Sequence, residues 1–201
     1  MANLKDSPNF AVYDDYYTPK KAWAQINHII PKNKVIWEAC CLKAYKSESP
    51  DYLKQLGNQV VYDKEMNCLT DQPESWDMII SNPPYDTKLK VPILKRFVAL
   101  DKPFILVMNS MNTFSKYMRE VFAGNLQHLQ VITPDDKIQY NRLNEDGTLV
   151  PTNNCSFYSC YVCYKCEIPQ DKLWLDSSTV RKKKKPRKEI NWTPALKALF
   201  G

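Results

Sequence analysis

Glycine is scarce: the chain of 201 residues has four. Loops that cradle phosphate or a dinucleotide use glycine where backbone meets ligand, so few such loops can be built here. Histidine is scarcer, with two. Neither His28 nor His128 has an acidic, serine or cysteine partner at an informative spacing. A histidine-based metal centre or histidine-centred triad therefore has little material, and both read as structural or surface residues. No run reaches about 18 apolar residues, so no membrane span is expected. The opening MANLKDSPNF lacks an apolar signal core, which argues against secretion. The expected location is the cytoplasm, or the nucleus in a eukaryotic host. There the seven cysteines read as reduced thiols.

Enough chain is present for one domain with a full core, and 44% of residues are hydrophobic. The net charge is +6, yet seven positive charges sit in the run RKKKKPRK, so the rest of the chain carries −1. Arg181, Lys182, Lys183, Lys184, Lys185, Arg187 and Lys188 form a basic segment that can attract phosphate backbones regardless of base sequence. A solvated run or a localisation signal is the alternative reading. We expect a domain over 1–166 and a basic tail over 167–201 that ends in a short helix, WTPALKALF.

Apolar runs and turn signals alternate along the chain. Thr18-Pro19 reads as a helix start, with Thr18 as cap and the helix running to Pro31. KVIWEAC, QVVYD, WDMIIS, KPFILVMN and LQVIT read as buried strands. SPDYLKQLG reads as a helix leaving through Gly57, and VPILKRFVAL and residues 112–122 as two more. KIQYNRL and SFYSCYVCYK read as a closing antiparallel pair. The order implies an α/β fold, a mostly parallel sheet with helices on both faces and a terminal antiparallel strand pair.

In such sheets ligands gather at the carboxyl ends of the strands. Three ends stand out: Glu38, Asp63, and Asn82-Pro83-Pro84-Tyr85. An acid after the second strand suits the hydroxyls of a ribose. At the third end, the Asn82 amide oxygen and the Pro83 carbonyl are two acceptors on a turn stiffened by two prolines. Two acceptors can bond both N–H groups of an exocyclic amine such as adenine N6, and so favour a nitrogen with an available lone pair. Tyr85 can stack on a base taken out of its helix.

SNPPY after an apolar strand resembles the catalytic motif of S-adenosylmethionine-dependent amino-group methyltransferases, the DNA N6-adenine enzymes above all. The resemblance spans roughly residues 13–164. YDDYYTP resembles the motif that precedes the cofactor site, VIWEAC the first strand with its acid, and VVYD the second. MNCL places Asn67 where the family often has an acid beside the adenine amine. It implies a Rossmann-like class I methyltransferase fold with S-adenosyl-L-methionine as cofactor and no metal. Catalysis would rest on Asn82, Pro83, Pro84 and Tyr85. Cofactor binding would rest on Tyr16, Thr18, Pro19, Glu38, Ala39, Cys40, Asp63 and Asn67. The implied partner is nucleic acid, DNA before RNA.

Two departures shape the expectation. The family's glycine-rich turn after the first strand is replaced by EACCLKAYKSES, whose side chains crowd the cofactor or reroute the loop. A chain this short also has little room for a base-reading domain, so specificity would come from loops such as residues 140–154 or from a protein partner. RNA adenine, a protein glutamine amide, and a non-catalytic nucleic-acid-binding subunit stay open. Cys160, Cys163 and Cys166 suggest zinc by spacing alone. On a strand, however, Cys160 and Cys166 face one way and Cys163 the other, so packing is the expectation. Trp37 and Trp76 are expected in the core.

Overall fold

The structure, a computed structural model, describes residues 16–40, 47–63, 65–144, 146–152, 155, 157–168 and 174–176. Strands β1 (Val35–Trp37), β2 (Gln59–Val61), β3 (Met78–Ser81), β4 (Phe104–Asn109) and β5 (Leu129–Thr133) lie on the five apolar runs. Strands covered on both faces have no polar side, so they read as continuous apolar segments. Helices α1 (Lys20–Ala24), α2 (Ser49–Gln55), α3 (Thr87–Ala99) and α4 (Lys116–Val121) intervene. Strands β6 (Asn141–Leu143), β7 (Leu149–Pro151), β8 (Ser159–Tyr164) and β9 (Trp174–Asp176) follow.

The main sheet has the order β2-β1-β3-β4-β8-β5-β9. Strands β2, β1, β3 and β4 are mutually parallel. β8 runs antiparallel between β4 and β5, and β9 is parallel to β5. The expected Rossmann-like, mostly parallel α/β sheet forms, and a separate antiparallel pair, β6 with β7, lies beside it. Chain order reverses direction on the two sides of β1, which makes the β1–β3 boundary the switch point, where open α/β sheets form their ligand crevice at the strand ends.

Successive strand residues drop into two different cores, as the period of two requires. Trp37, Ile79, Phe104, Leu106, Met108, Val162 and Tyr164 pack under α3 and α4, against Leu94, Phe97 and Met118. Ile36, Met78, Ile80, Ile105, Val107 and Tyr161 pack under α1 and α2, against Trp23, Tyr52 and Leu53. Trp37 and Trp76 are both buried, as expected. Full burial of such side chains contributes about 1.5–3 kcal/mol each.

Several local expectations are corrected. KIQYNRL does not pair with SFYSCYVCYK; β6 pairs with β7 in a separate two-stranded sheet, and β8 takes β4 and β5 instead. Helix α1 ends at Ala24, and the chain continues to Ile30 in turns that still bury Ile26 and Ile30. Thr18 does not cap it; the Glu48 carboxylate accepts from the Lys20 N–H at 2.7 Å across the chain. Residues 112–122 split into a 3-10 turn, Ser110–Phe114, and α4. Gly57 leaves α2 at φ 90°, the left-handed exit expected of it. Cys160 and Cys163 face opposite cores, but Cys166 joins the side of Cys163. Lys165 adopts φ 51° just past β8 and turns the strand's alternation off. β9 adds three residues of the segment expected as tail to the sheet. The basic run from Arg181 to Lys188, the WTPALKALF segment, Asp14, Asp15 and the turn 41–46 lie outside the described residues.

Candidate active site

The crevice at the switch point is built from the ends of β1 and β3. Glu38 follows β1 directly and is 5% exposed. Burial raises its carboxyl to about 8, against a weaker opposing pull from a hydrogen bond with Ser81. Ser81, the last residue of β3, also accepts from the Cys40 N–H at 2.9 Å. Ser81 thereby ties together the two strand ends that frame the crevice. Its role was missed in the sequence, where the only signal was a lone hydroxyl closing an apolar strand.

Ala39 is buried and Cys40 half-buried in the turn that follows Glu38. The Cys40 and Cys68 thiols hydrogen-bond each other, and that contact with burial holds Cys40 well above the usual thiol range. A glycine-rich turn would place bare backbone here; this chain places a pair of thiols. Among the described residues no group of three His, Cys, Asp or Glu side chains is placed to hold a metal ion. Among them no helix is long and apolar enough to cross a membrane. His28 and His128 are exposed.

The NPPY segment bridges β3 to α3 with a short connection. Its far end is set by Asp86, whose carboxylate accepts from the Lys88 N–H at 2.9 Å and caps α3. Lys90, one turn into α3 and buried, donates its Nζ to the Tyr85 carbonyl at 2.8 Å. Pro83 and Pro84 are buried. The connection is therefore held by a strand, a cap, a lysine and two prolines, which leaves its main chain little freedom.

Asn82 donates its Nδ2 to the Tyr16 carbonyl at 3.2 Å, and its Oδ1 is buried with no hydrogen-bond partner. Donation to a carbonyl fixes which end of the amide is which, so the oxygen is the end left over. Thr18 Oγ1 and Glu38 Oε2 are also buried without a partner, and so, away from this site, are Trp76 Nε1, Arg96 Nε and Asn112 Nδ2. Buried polar atoms are seldom left unpaired, because desolvation without a hydrogen bond costs about 1–3 kcal/mol.

Tyr85 sits in an aromatic cluster. Its ring meets those of Tyr16 at 5.6 Å, Tyr140 at 6.2 Å and Phe157 at 5.0 Å. Burial and the neighbouring Tyr140 raise its hydroxyl far above the ordinary range. Tyr140 in turn shares a 2.7 Å hydrogen bond with Ser159. Tyr16 is anchored from the other side by Arg142, whose guanidinium lies 4.7 Å from its ring centre and bonds its hydroxyl. Tyr17 pairs with Asn141 in an isolated bridge. Tyr140, Arg142 and Phe157 come from segments far along the chain; the first two lie in the loop 140–154 expected as a specificity surface, and Phe157 was not singled out.

The remaining residues are more peripheral. Asp63 is exposed, and its Oδ1 accepts from the Glu65 N–H at 2.8 Å. Asn67 uses its Oδ1 on the Leu69 N–H at 3.1 Å, closing its own turn. Pro19 lines a recess of about 520 Å³ between α1 and residues 136–141, which neither Glu38, Asn82 nor Tyr85 enters. Pro19 thus faces a different space from the crevice.

No protein-family model matches the chain, and no curated protein does. Solved structures are similar. A Listeria monocytogenes protein described as a class I S-adenosylmethionine-dependent methyltransferase is 11% identical, with a TM-score of 0.48 over 91% of this chain and 69% of that one. A precorrin-6y methyltransferase from Geobacter metallireducens is 14% identical, with a TM-score of 0.42 over 80% of this chain and 97% of that one. A 16S rRNA guanine-N2 methyltransferase of T. thermophilus, in complex with AdoMet and guanosine, is 10% identical, with a TM-score of 0.35 over 70% of this chain and 38% of that one.

Proposed function

We propose that the protein is a methyltransferase that moves a methyl group from S-adenosylmethionine to an exocyclic amine, adenine N6 of DNA. The observation that carries this reading is Asn82 Oδ1: a buried acceptor without a partner, oriented by the Tyr16 carbonyl, at the carboxyl end of β3 beside Glu38.

S-adenosylmethionine supplies an electrophilic methyl group on a cationic sulfur. Glu38, with one carboxylate oxygen unpaired, is the group that holds the cofactor's positive charge. A cation at that oxygen offsets the desolvation that otherwise keeps Glu38 protonated. Asp63 has its second oxygen for the ribose hydroxyls, and Asn67 Nδ2 is a donor for the adenine ring. Tyr16, Thr18, Ala39 and Cys40 complete the walls, Thr18 through its unpaired hydroxyl. Pro19 is the weakest member of the set, because it lines the other recess.

On the substrate side, Asn82 Oδ1 and the Pro83 carbonyl accept the two N–H groups of the amine. Their pull draws the nitrogen away from conjugation with the ring and frees its lone pair. The nitrogen would form its bond to the methyl carbon as the carbon–sulfur bond breaks, the sulfur leaving with the electron pair as the neutral thioether S-adenosylhomocysteine, and the nitrogen would then shed one proton to solvent. Pro84 stiffens the turn, and Tyr85, braced by three rings, offers a stacking surface that moves little. The run from Arg181 to Lys188 contributes phosphate contacts that do not read sequence.

The test is transfer of labelled methyl to single-stranded DNA, duplex DNA and RNA, with Asn82→Ala beside the unaltered protein. Label on adenine N6 of DNA that disappears in the variant is the expected result. Label that persists in Asn82→Ala, or none on any substrate, overturns the reading.

A further inference from the structure

Large apolar side chains are seldom left in water without a reason when they cluster. Met111 is 71% exposed, Phe114 71% and Tyr158 67%. All three stand at the rim that carries the NPPY segment. Met111 and Phe114 lie on the 3-10 turn that follows β4. Tyr158 immediately precedes β8, and its carbonyl accepts from the Ser110 N–H at 2.9 Å, so the two segments leave the sheet side by side. β4 is the hydrogen-bonded neighbour of β3, whose end carries Asn82. Among the described residues the other large exposed apolar one, Leu126 at 51%, is on the opposite rim, where β5 begins.

Cations accompany this group. Lys137 Nζ lies 4.8 Å from the centre of the Tyr158 ring, and the exposed Arg142 stacks on Tyr16. Flat or soft apolar side chains with positive charges alongside match a polyanion that carries rings. A single-stranded nucleic acid is such a ligand: each base has a π-face to stack, and each linkage a phosphate to pair. A duplex is not, because its bases are already stacked on one another.

We infer that Met111, Phe114 and Tyr158 form a stacking platform for the unpaired bases of single-stranded DNA that flank the target, with Lys137 and Arg142 on its phosphates. The inference rests on the functional reading above and adds a strand state and a binding surface to it. Lys137 occupies one face of Tyr158, and a base takes the exposed remainder. The Asn82 crevice then receives a base from a strand already open, which avoids the unpairing that a duplex would require.

Fluorescence anisotropy of the full chain with a labelled single-stranded oligonucleotide, its duplex and the matching RNA tests this. Tyr158→Ala is expected to weaken single-stranded DNA binding by about 5- to 100-fold. Tyr158→Phe is expected to bind within about 3-fold of the unaltered protein, since the ring remains. The double variant Met111→Ala with Phe114→Ala, both exposed and away from the core, is expected to behave like Tyr158→Ala. Asn82→Ala is read for methyl transfer alone and the platform variants for binding, which separates this surface from the reaction. Unchanged binding in both platform variants, or tighter binding of duplex or of RNA than of single-stranded DNA, overturns the inference. Methyl transfer that persists in Asn82→Ala sinks the functional reading instead.

Discussion

Asn82 and Tyr16 are joined by a hydrogen bond of 3.2 Å from side-chain amide to main-chain carbonyl across 66 residues. The bond aligns the amide at the end of β3 from a segment that precedes α1. Its consequence is an acceptor, Oδ1, held in one orientation before any substrate arrives.

Asn82→Ala removes that acceptor and should lower single-turnover methyl transfer by about 100- to 1,000-fold, the range for loss of one pre-positioned polar group. Asn82→Asp keeps an acceptor but sets carboxylate oxygen against the Tyr16 carbonyl, so it should also fail and should lower the melting temperature. Calorimetric titration with S-adenosylmethionine separates the effects: Asn82→Ala should leave cofactor affinity within about 3-fold.

Glu38 makes two opposed demands. Burial raises its carboxyl from the ordinary 4.5 to about 8. Between those values the folded chain holds a proton that the unfolded chain has shed. Glu38 therefore favours the fold below its ordinary range, and that contribution is lost as pH rises through about 8. Glu38→Gln should flatten this slope in denaturant titrations and stabilise the ligand-free protein at alkaline pH, by on the order of 1–3 kcal/mol. The same variant should weaken cofactor binding, whose affinity in the unaltered chain should rise with pH towards about 8 and then level. Ser81→Ala should move that rise to higher pH, because the Ser81 bond is what lowers the carboxyl.

Lys90 supports the catalytic turn without touching substrate in the proposed arrangement. Lys90→Met keeps the apolar stem and drops the bond to the Tyr85 carbonyl. Transfer should slow by about 10- to 100-fold through misplacement of the turn. The loss should fall on kcat, with KM for DNA little changed; a KM effect of the same size would point to substrate contact instead.

The basic run is a prediction from charge. Removal of residues 181–188 deletes seven cations. If each meets a phosphate, the slope of log K against log salt should become shallower by about 5 to 6. An unchanged slope would place the phosphate contacts elsewhere, with Lys137 and Arg142 as the next pair to remove.

Much of the architecture was legible in local pattern. The five strands announce themselves as apolar runs, most plainly β3 and β4, whose burial on both faces leaves no alternative composition, and least so β2 at the sheet edge. Gly57 marks the end of α2 for the same local reason, a left-handed φ that a side chain resists. The NPPY turn stood out in the sequence as two prolines and an amide at a strand end, and the proposed function rests on it. What failed was whatever depended on a distant partner. Thr18 had the chemistry of a cap, but Glu48, just ahead of α2, took the bond from the Lys20 N–H. KIQYNRL had the composition of a strand in the main sheet, but β8 found better neighbours in β4 and β5.

The sequence by itself determined the alternation of strands and helices, the ends that carry Glu38, Asp63 and Asn82, and the concentration of charge in one short run. These follow from backbone periodicity and side-chain burial within a few residues. Only the tertiary structure decided that Asn82 is aimed by Tyr16, that Tyr85 is braced by Tyr140 and Phe157, that Ser81 ties two strand ends, and that Met111, Phe114 and Tyr158 share a rim. Those relations join segments far apart in the chain. Closing them costs backbone entropy that only the collapse of both cores onto one sheet offsets.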